Sequence, residues 1–289
     1  MASGPAIRIG VSGWRYAPWR GNFYPKGLPQ KDELAFAARR FPTVEINGSF
    51  YSLQTPRSWQ AWYAATPPQF VFAVKGPRYV THMLRLQNIE KPLANFFASG
   101  VFRLREKLGP ILWQLPASFP FEETRLANFL ALLPRDLASA AALARRRDAF
   151  MRGRSVLAID TNRTLRHALE ARHESFTDPR SLRLLRRHNV ALVISESAGR
   201  WPMWQEITAD FLYLRLHGDK ELYRSGYGPK ALTRWAGRIE AWTRESSRLR
   251  CVYCYFDNTD DKLRAPADAQ TLSNKLGVRW QPAAGSPDS

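Results

Sequence analysis

Apolar residues fall in short runs bounded by glycine, proline or charge, the spacing of strands rather than of long helices. The clearest run is Phe211-Leu212-Tyr213-Leu214-Arg215-Leu216-His217, which stops at Gly218. Alternation along a strand puts Tyr213, Arg215 and His217 on one face, and Leu212, Leu214 and Leu216 on the other. Seven more runs read the same way, at residues 7–11, 43–47, 70–75, 111–115, 165–173, 190–195 and 250–256. A further short strand at 155–160 is an open alternative.

Between the runs the period changes to that of amphipathic helices, at 30–40, from Pro56, at 89–108, 122–133, 138–154, from Pro179, at 229–245 and at 267–276. Pro56 and Pro179 suit a first helical position, and Asp178 suits the N-cap before the second of them. Ser49-Phe50-Tyr51 reads as a loop. The stretch after the sixth strand, with Trp201-Pro202-Met203-Trp204, has little room for a full helix and is expected to be irregular.

Eight strands alternating with helices predict an α/β fold with a parallel sheet, and eight is the number that closes a (β/α)8 barrel of TIM type. The 289-residue chain has the length for one such domain, expected over 1–280, with a flexible tail at 281–289. A doubly wound open sheet is the alternative; no strand is followed by the G-x-G-x-x-G loop that would favour it.

Composition narrows the partners. The formal charge is +18, from 43 Lys and Arg against 25 Asp and Glu. That balance favours an anionic small molecule or nucleic acid; a solvated, arginine-rich surface is the plain alternative. No apolar run is long enough to span a membrane, and the first residues lack a basic-then-apolar leader, so a cytoplasmic protein is expected. Cys251 and Cys254 lie on opposite faces of one strand, which predicts two reduced, packed thiols.

In a barrel of this type the chemistry sits at the C-terminal ends of the strands. Those ends carry Glu45 and Asn47, Lys75, Gln114, Glu170 and Arg172, Arg215 and His217, and Asp257 and Asn258. Three readings follow. In the first, Lys75, Arg172 and Arg215 hold an anion, with Glu45, Glu170 and His217 as acid–base groups and Asn47, Tyr51, Gln114, Tyr255, Asp257 and Asn258 lining the substrate. In the second, Glu45, Glu170, His217 and Asp257 bind a divalent metal, a set disfavoured by the neighbouring cations and by the lack of paired histidines. In the third, the charges form a neutralised network that only closes the barrel.

Among other residues, His82 follows the third strand in a loop, and His173 ends the fifth strand. His167 and His188 read as surface or helix-end residues, and Arg145-Arg146-Arg147 as a solvated helix face. The aromatics Trp14, Tyr16, Trp19, Phe50, Tyr51, Tyr223 and Tyr227 follow strands and either stack on a base or sugar or form a packed lid.

The order of short motifs resembles the YecE-like family, domain of unknown function 72. It rests on Ser12-Gly13-Trp14-Arg15-Tyr16, Phe23-Tyr24-Pro25, Glu45-Ile46-Asn47, Phe50-Tyr51, Phe72-Ala73-Val74-Lys75 and Thr81-His82. It continues through Gln114-Leu115-Pro116, Glu170-Ala171-Arg172-His173, Tyr213-Leu214-Arg215-Leu216-His217-Gly218 and Tyr255-Phe256-Asp257-Asn258. The resemblance implies a TIM-type barrel and supplies no activity. Against the family pattern, Asp257 stands where asparagine is usual, Glu196 where aspartate is usual, and 134–165 is longer and more basic. At fold level only, such barrels resemble metal-dependent apurinic endonucleases and sugar isomerases, whose histidine-rich metal ligation is not visible here.

The leading expectation is therefore a barrel enzyme, a hydrolase or lyase, acting on an anionic, phosphate-containing substrate. A nucleic-acid-binding or nuclease-like barrel and a non-catalytic scaffold are the alternatives. No cofactor and no oligomeric state is specified.

Overall fold

The structure is a computed structural model that describes residues 4–258 and 264–282. Its strands are β1 (Ala6–Ser12), β2 (Thr43–Ile46), β3 (Val71–Lys75), β4 (Leu108–Gln114), β5 (His167–Glu170), β6 (Val190–Leu192), β7 (Ile194–Glu196), β8 (Phe211–Leu216) and β9 (Cys251–Phe256). Its helices are α1 (Glu33–Arg40), α2 (Gly48–Tyr51), α3 (Pro56–Ala64), α4 (Glu90–Ala98), α5 (Glu123–Leu132), α6 (Leu137–Ala144), α7 (Pro179–Arg187), α8 (Pro229–Glu245) and α9 (Arg264–Lys275).

The strands bond side by side in the order β6-β5-β4-β3-β2-β1-β9-β8-β7. The two end strands are consecutive in the chain, with only Val193 between them, so the order begins and ends on one stretch. This is the α/β fold of TIM-barrel type expected from the pattern, its sixth strand broken in two. The Leu192 amide at the break donates to the Thr208 hydroxyl at 2.7 Å instead of to a strand. As expected, no helix lies between β7 and β8 among the described residues. No helix among them is long and apolar enough to cross a membrane.

Two compact units can be described separately: Met1–Glu45, Thr66–Phe70 and Ala191–Ser289 in the first, Ile46–Ala65 and Val71–Val190 in the second. In the first, β1 pairs in parallel with β2 through Ser12 opposite Glu45, and with β9 from Ala6 opposite Cys251 to Val11 opposite Phe256. β8 pairs with β9 and β7, also in parallel. Ile9, Val11, Val44, Leu214 and Val252 are fully buried. Cys254 is buried, Cys251 half-buried, and both are free thiols. The loop aromatics here form packing: Trp19 and Tyr24 are fully buried, Phe23 stacks on Phe41 at 5.8 Å, and the Tyr24 hydroxyl donates to the Trp14 carbonyl at 2.6 Å.

In the second unit β3, β4 and β5 pair in parallel, Lys75 opposite Leu112 and Gln114 opposite Glu170. Helix starts follow local chemistry: Thr55, Glu122, Asp136 and Asp178 each cap the helix after them with a side-chain oxygen, and Pro56 and Pro179 open α3 and α7.

Several expectations are corrected. Residues 89–108 do not form one helix: α4 ends at Ala98, and Gly100, at φ 104°, turns the chain into a 3-10 segment, Val101–Lys107. The helix expected over 138–154 ends at Ala144. The chain is pulled away there by Asp148, whose amide donates to Asn95 Oδ1 at 2.9 Å and whose carboxylate accepts from Asn95 Nδ2 at 2.7 Å. Arg145-Arg146-Arg147 therefore lies past the helix end, with Arg146 paired to Glu90. Residues 155–160 form no strand, only an isolated bridge between Ser99 and Val156. The fifth strand is shorter than 165–173. Residues 49–51 belong to a single helical turn rather than a loop. His167 is no surface residue: it is fully buried on β5, where one nitrogen accepts from the Trp113 indole at 3.1 Å and the other bonds the Pro134 carbonyl at 2.7 Å. Both its polar atoms being satisfied, burial is tolerated. Most of the expected tail, from residue 283 on, lies outside the described residues.

Candidate functional site

Each unit gathers ionisable side chains at the C-terminal ends of its strands. In the first, Glu45 on β2, Ser12 on β1, Tyr213 and Arg215 on β8, and His217 and Asp257 just beyond β8 and β9 form one network. Arg215 grips Glu45 with two nitrogens, at 2.8 Å to Oε1 and 3.1 Å to Oε2, and reaches Asp257 Oδ2 at 2.9 Å. The Tyr213 hydroxyl donates to Glu45 Oε2 at 2.6 Å, and the Ser12 hydroxyl to Oε1 at 2.5 Å. His217 Nδ1 stands 2.8 Å from Asp257 Oδ2, with Trp201 and Tyr223 set edge-on to its ring.

The strand order separates β8 from β2 by β9 and β1, roughly 14 Å on a flat sheet at ~4.8 Å per step. Side chains meeting at 2.8 Å require these strands to curl around the space between them. Arg215, Glu45, Tyr213 and His217 are almost completely buried. Burial, with the Glu45 charge beside it, pushes the Tyr213 phenol well above its ordinary range, so it remains a donor. One guanidinium thus answers two carboxylates in a dry setting, where its removal would leave both without a counter-charge. The shared face of Tyr213, Arg215 and His217 is the one alternation predicts.

Nearby, Glu196 accepts from the Trp235 indole at 2.7 Å, and burial raises its carboxyl. Asn258 is buried and donates to Asp268 at 2.9 Å and to the Ser225 carbonyl at 3.2 Å. Tyr255 is also fully buried, its hydroxyl 2.7 Å from that of Thr43.

In the second unit Lys75, Gln114 and Glu170 are the last residues of three neighbouring strands. All three are buried. Arg172 pairs with Glu170 through two nitrogens, at 2.6 and 2.8 Å to Oε1. The Lys75 ammonium lies 4.3 Å from the Phe50 ring centre, a cation–π contact, and the Ser49 hydroxyl holds the Lys75 carbonyl at 2.7 Å. The sequence places His82 in a loop; it sits instead in a π-helical turn, Tyr79–Met83, edge-on to Phe50 at 5.1 Å and with Nδ1 2.9 Å from the Thr81 hydroxyl. Burial first, then the charges of Lys75, Arg172 and Arg78, lower the His82 pKa to about 4 against an opposing effect of Glu170. The imidazole is therefore neutral near pH 7. Arg78, which the sequence does not single out, is an exposed member of this cluster and lies 5.8 Å from the Tyr51 ring. Asn47 stands at the N-cap position just before α2, and Tyr51 at its end is 67% exposed.

Lys75 and Arg172 thus belong to one cluster and Arg215 to the other. The metal set weighed from sequence is drawn from both units, Glu170 from the second and Glu45, His217 and Asp257 from the first. Among the described residues, no group of three or more His, Cys, Asp and Glu is arranged to hold a metal ion. His188, half-buried at the end of α7, stays outside both clusters, near Arg135. His173 caps the turn after β5.

Comparison with known proteins agrees with the architecture. A family model described as "Protein of unknown function DUF72" matches residues 8–288. The UPF0759 protein YecE of Escherichia coli K12 is 24% identical over 274 residues, 93% of this chain and 92% of that protein. The UPF0759 protein YunF of Bacillus subtilis is 29% identical over 126 residues, 42% of this chain and 44% of that protein. The crystal structure of a DUF72 family protein from Thermotoga maritima is similar with a TM-score of 0.74 at 24% identity, over 94% of this chain and 99% of that one. A DUF72 family protein from Enterococcus faecalis gives 0.73 at 16%, over 98% and 100%. The chain belongs to the DUF72 family.

Proposed function

We propose that this DUF72 protein is an enzyme that binds a phosphate-containing substrate at the second unit's cluster, where Lys75, Arg78 and Arg172 hold the anion. The observation that carries the reading is the charge balance around His82. Three cations act on one partly buried imidazole, and the single carboxylate of Glu170 opposes them. An anion entering there gains attraction that water screens poorly. Arg172 is oriented by Glu170, and its planar guanidinium suits a phosphate better than a lysine would.

His82 and Glu170 are the acid–base groups of this reading. A neutral imidazole can accept a proton from an attacking water on one nitrogen while its other nitrogen is held by Thr81, and Glu170 stands beside it as the second group. Gln114 is a neutral neighbour at the same sheet edge. In the first unit, His217 beside Asp257 is the group suited to proton transfer, and Arg215 serves chiefly to neutralise Glu45 and Asp257.

A panel of phosphate monoesters tests this by thermal shift and by release of inorganic phosphate. A ligand present at a hundred times its Kd stabilises by about 2.7 kcal/mol, raising Tm by roughly 5–10 °C. Lys75→Ala is expected to abolish the rise. If no phosphate compound moves Tm and none is turned over, the reading falls.

A further inference from the structure

The cationic cluster shares a wall with an open cavity of about 690 Å3, within the ~300–1,000 Å3 typical of small-molecule sites. The shared wall is Phe50, which lines the cavity and carries both the Lys75 ammonium at 4.3 Å and the His82 ring at 5.1 Å. Arg78 also lines the cavity.

The rest of the lining is unusual for solvent-facing surface. Of the large apolar side chains exposed among the described residues, Tyr51, Tyr79, Met83 and Phe150 all border this cavity, with exposures of 48–67%. Only Leu132 and Tyr223 are exposed elsewhere. Apolar surface gathered in one concavity marks a binding site, whereas the same residues scattered would need no explanation. The polar lining residues are Ser52, Arg78, Asn88, Lys91, Asn95 and Asp148; Asn95 and Asp148 are bonded to each other, and with Asn88 they offer donors and acceptors.

The backbone that presents this rim is held in uncommon conformations. Tyr79 and Met83 open and close the π-helical turn, secured by the Leu84 amide on the Tyr79 carbonyl at 2.9 Å. Arg85, Leu86 and Asn88 follow at φ 49°, 64° and 51°, left-handed values that side chains other than glycine rarely adopt. Such conformations persist where surrounding structure over-determines them, as in ligand clamps.

We infer that the cavity is a base-binding subsite, and that the ligand of the neighbouring cluster is a nucleoside phosphate. The inference rests on the anion reading of Lys75, Arg78 and Arg172. A planar base enters between Tyr51, Tyr79 and Phe150, where stacking tolerates any base, while its edge faces Asn88, Asn95 and Asp148. The phosphate passes Phe50 to reach the cations. A purely apolar ligand would leave Arg78 and Lys91 at the rim without use, and an inorganic anion would leave the aromatic rim without use.

Calorimetric titrations of the whole protein with a nucleoside 5′-monophosphate, ribose 5-phosphate, inorganic phosphate and a single-stranded oligonucleotide separate the outcomes. The nucleotide is expected to bind at least about tenfold more tightly than ribose 5-phosphate, the factor of one good stacking contact. Tyr51→Ala and Phe150→Ala, at exposed positions that leave the core intact, should each remove about tenfold of the nucleotide affinity while inorganic phosphate binds as before. Equal affinity for ribose 5-phosphate and nucleotide would overturn the base subsite and leave the anion site standing. Failure of every phosphate compound to bind would overturn both. An oligonucleotide bound a hundredfold more tightly than the nucleotide would replace the small ligand by a nucleic acid strand.

Discussion

Replacing Arg215 by methionine removes the one guanidinium that answers both Glu45 and Asp257. The side chain is 1% exposed and makes three close contacts to carboxylate oxygens, at 2.8, 2.9 and 3.1 Å. Methionine fills much of the same space, so the chief effect is electrostatic. Removing one partner of a buried ion pair costs about 3–5 kcal/mol. In a protein of this size that lowers Tm by roughly 6–20 °C. The sign with pH follows from the two carboxyls. Without the cation, burial and mutual repulsion raise their pKa values in the folded state above those of the unfolded chain. The neutral forms are then the ones the fold tolerates, so stability is retained at low pH and lost as pH rises through the raised values. The deficit of Arg215→Met relative to the native protein should be smaller at pH 5 than at pH 8, and Glu45→Gln added to it should restore part of the loss. Urea titrations at the two pH values measure this. A deficit under about 1 kcal/mol, or one that does not change with pH, would refute the view of this network as a buried charge balance.

His167 is held neutral by complete burial, its pKa lowered to about 4 from an ordinary 6.5. Its contribution is present above pH 6.5 and lost as pH falls toward 4, about 3 kcal/mol in all, so His167→Gln should flatten the acid limb of the stability curve; an unchanged limb in urea titrations would contradict this. A Cβ at Gly10 would stand 1.9 Å from the Thr43 carbonyl oxygen on the paired strand, so Gly10→Ala should cost about 2 kcal/mol or more and show it in Tm; near-native stability would contradict the close packing of β1 on β2. Burial pushes the Cys254 thiol well up, so a thiol reagent should modify Cys251 in the folded protein and reach Cys254 only on unfolding, as peptide mapping would reveal; early labelling of Cys254 would argue against it.

Much of the fold is legible because its strands are apolar runs with distinct ends, and its helices begin on Pro56, Pro179 and Asp178. Alternation alone puts Tyr213, Arg215 and His217 together, since facing is a local property of a strand. The partners of Glu45 are not legible in that way. Tyr213 and Arg215 lie 168 and 170 residues from it, and only the curl of the sheet brings them to it. His167 reads as exposed from sequence because the Trp113 indole and the Pro134 carbonyl, which satisfy it in the interior, are distant in the chain. Phe150 falls within the 138–154 stretch whose pattern predicts a helix, and Arg78 and Tyr79 lie at a π turn that carries no periodic signature. Asn95 and Asp148, which end the helix early, are 53 residues apart and give no local sign.

The cationic cluster is tested most directly by calorimetric titration of inorganic phosphate into the native protein and into the Lys75→Ala, Arg172→Ala double variant. Saturable, one-to-one binding that weakens at least about a hundredfold in the variant is expected, each charge-assisted contact supplying about tenfold or more. No heat of binding in the native protein, or equal binding in the variant, would contradict the assignment of Lys75, Arg78 and Arg172 to an anion.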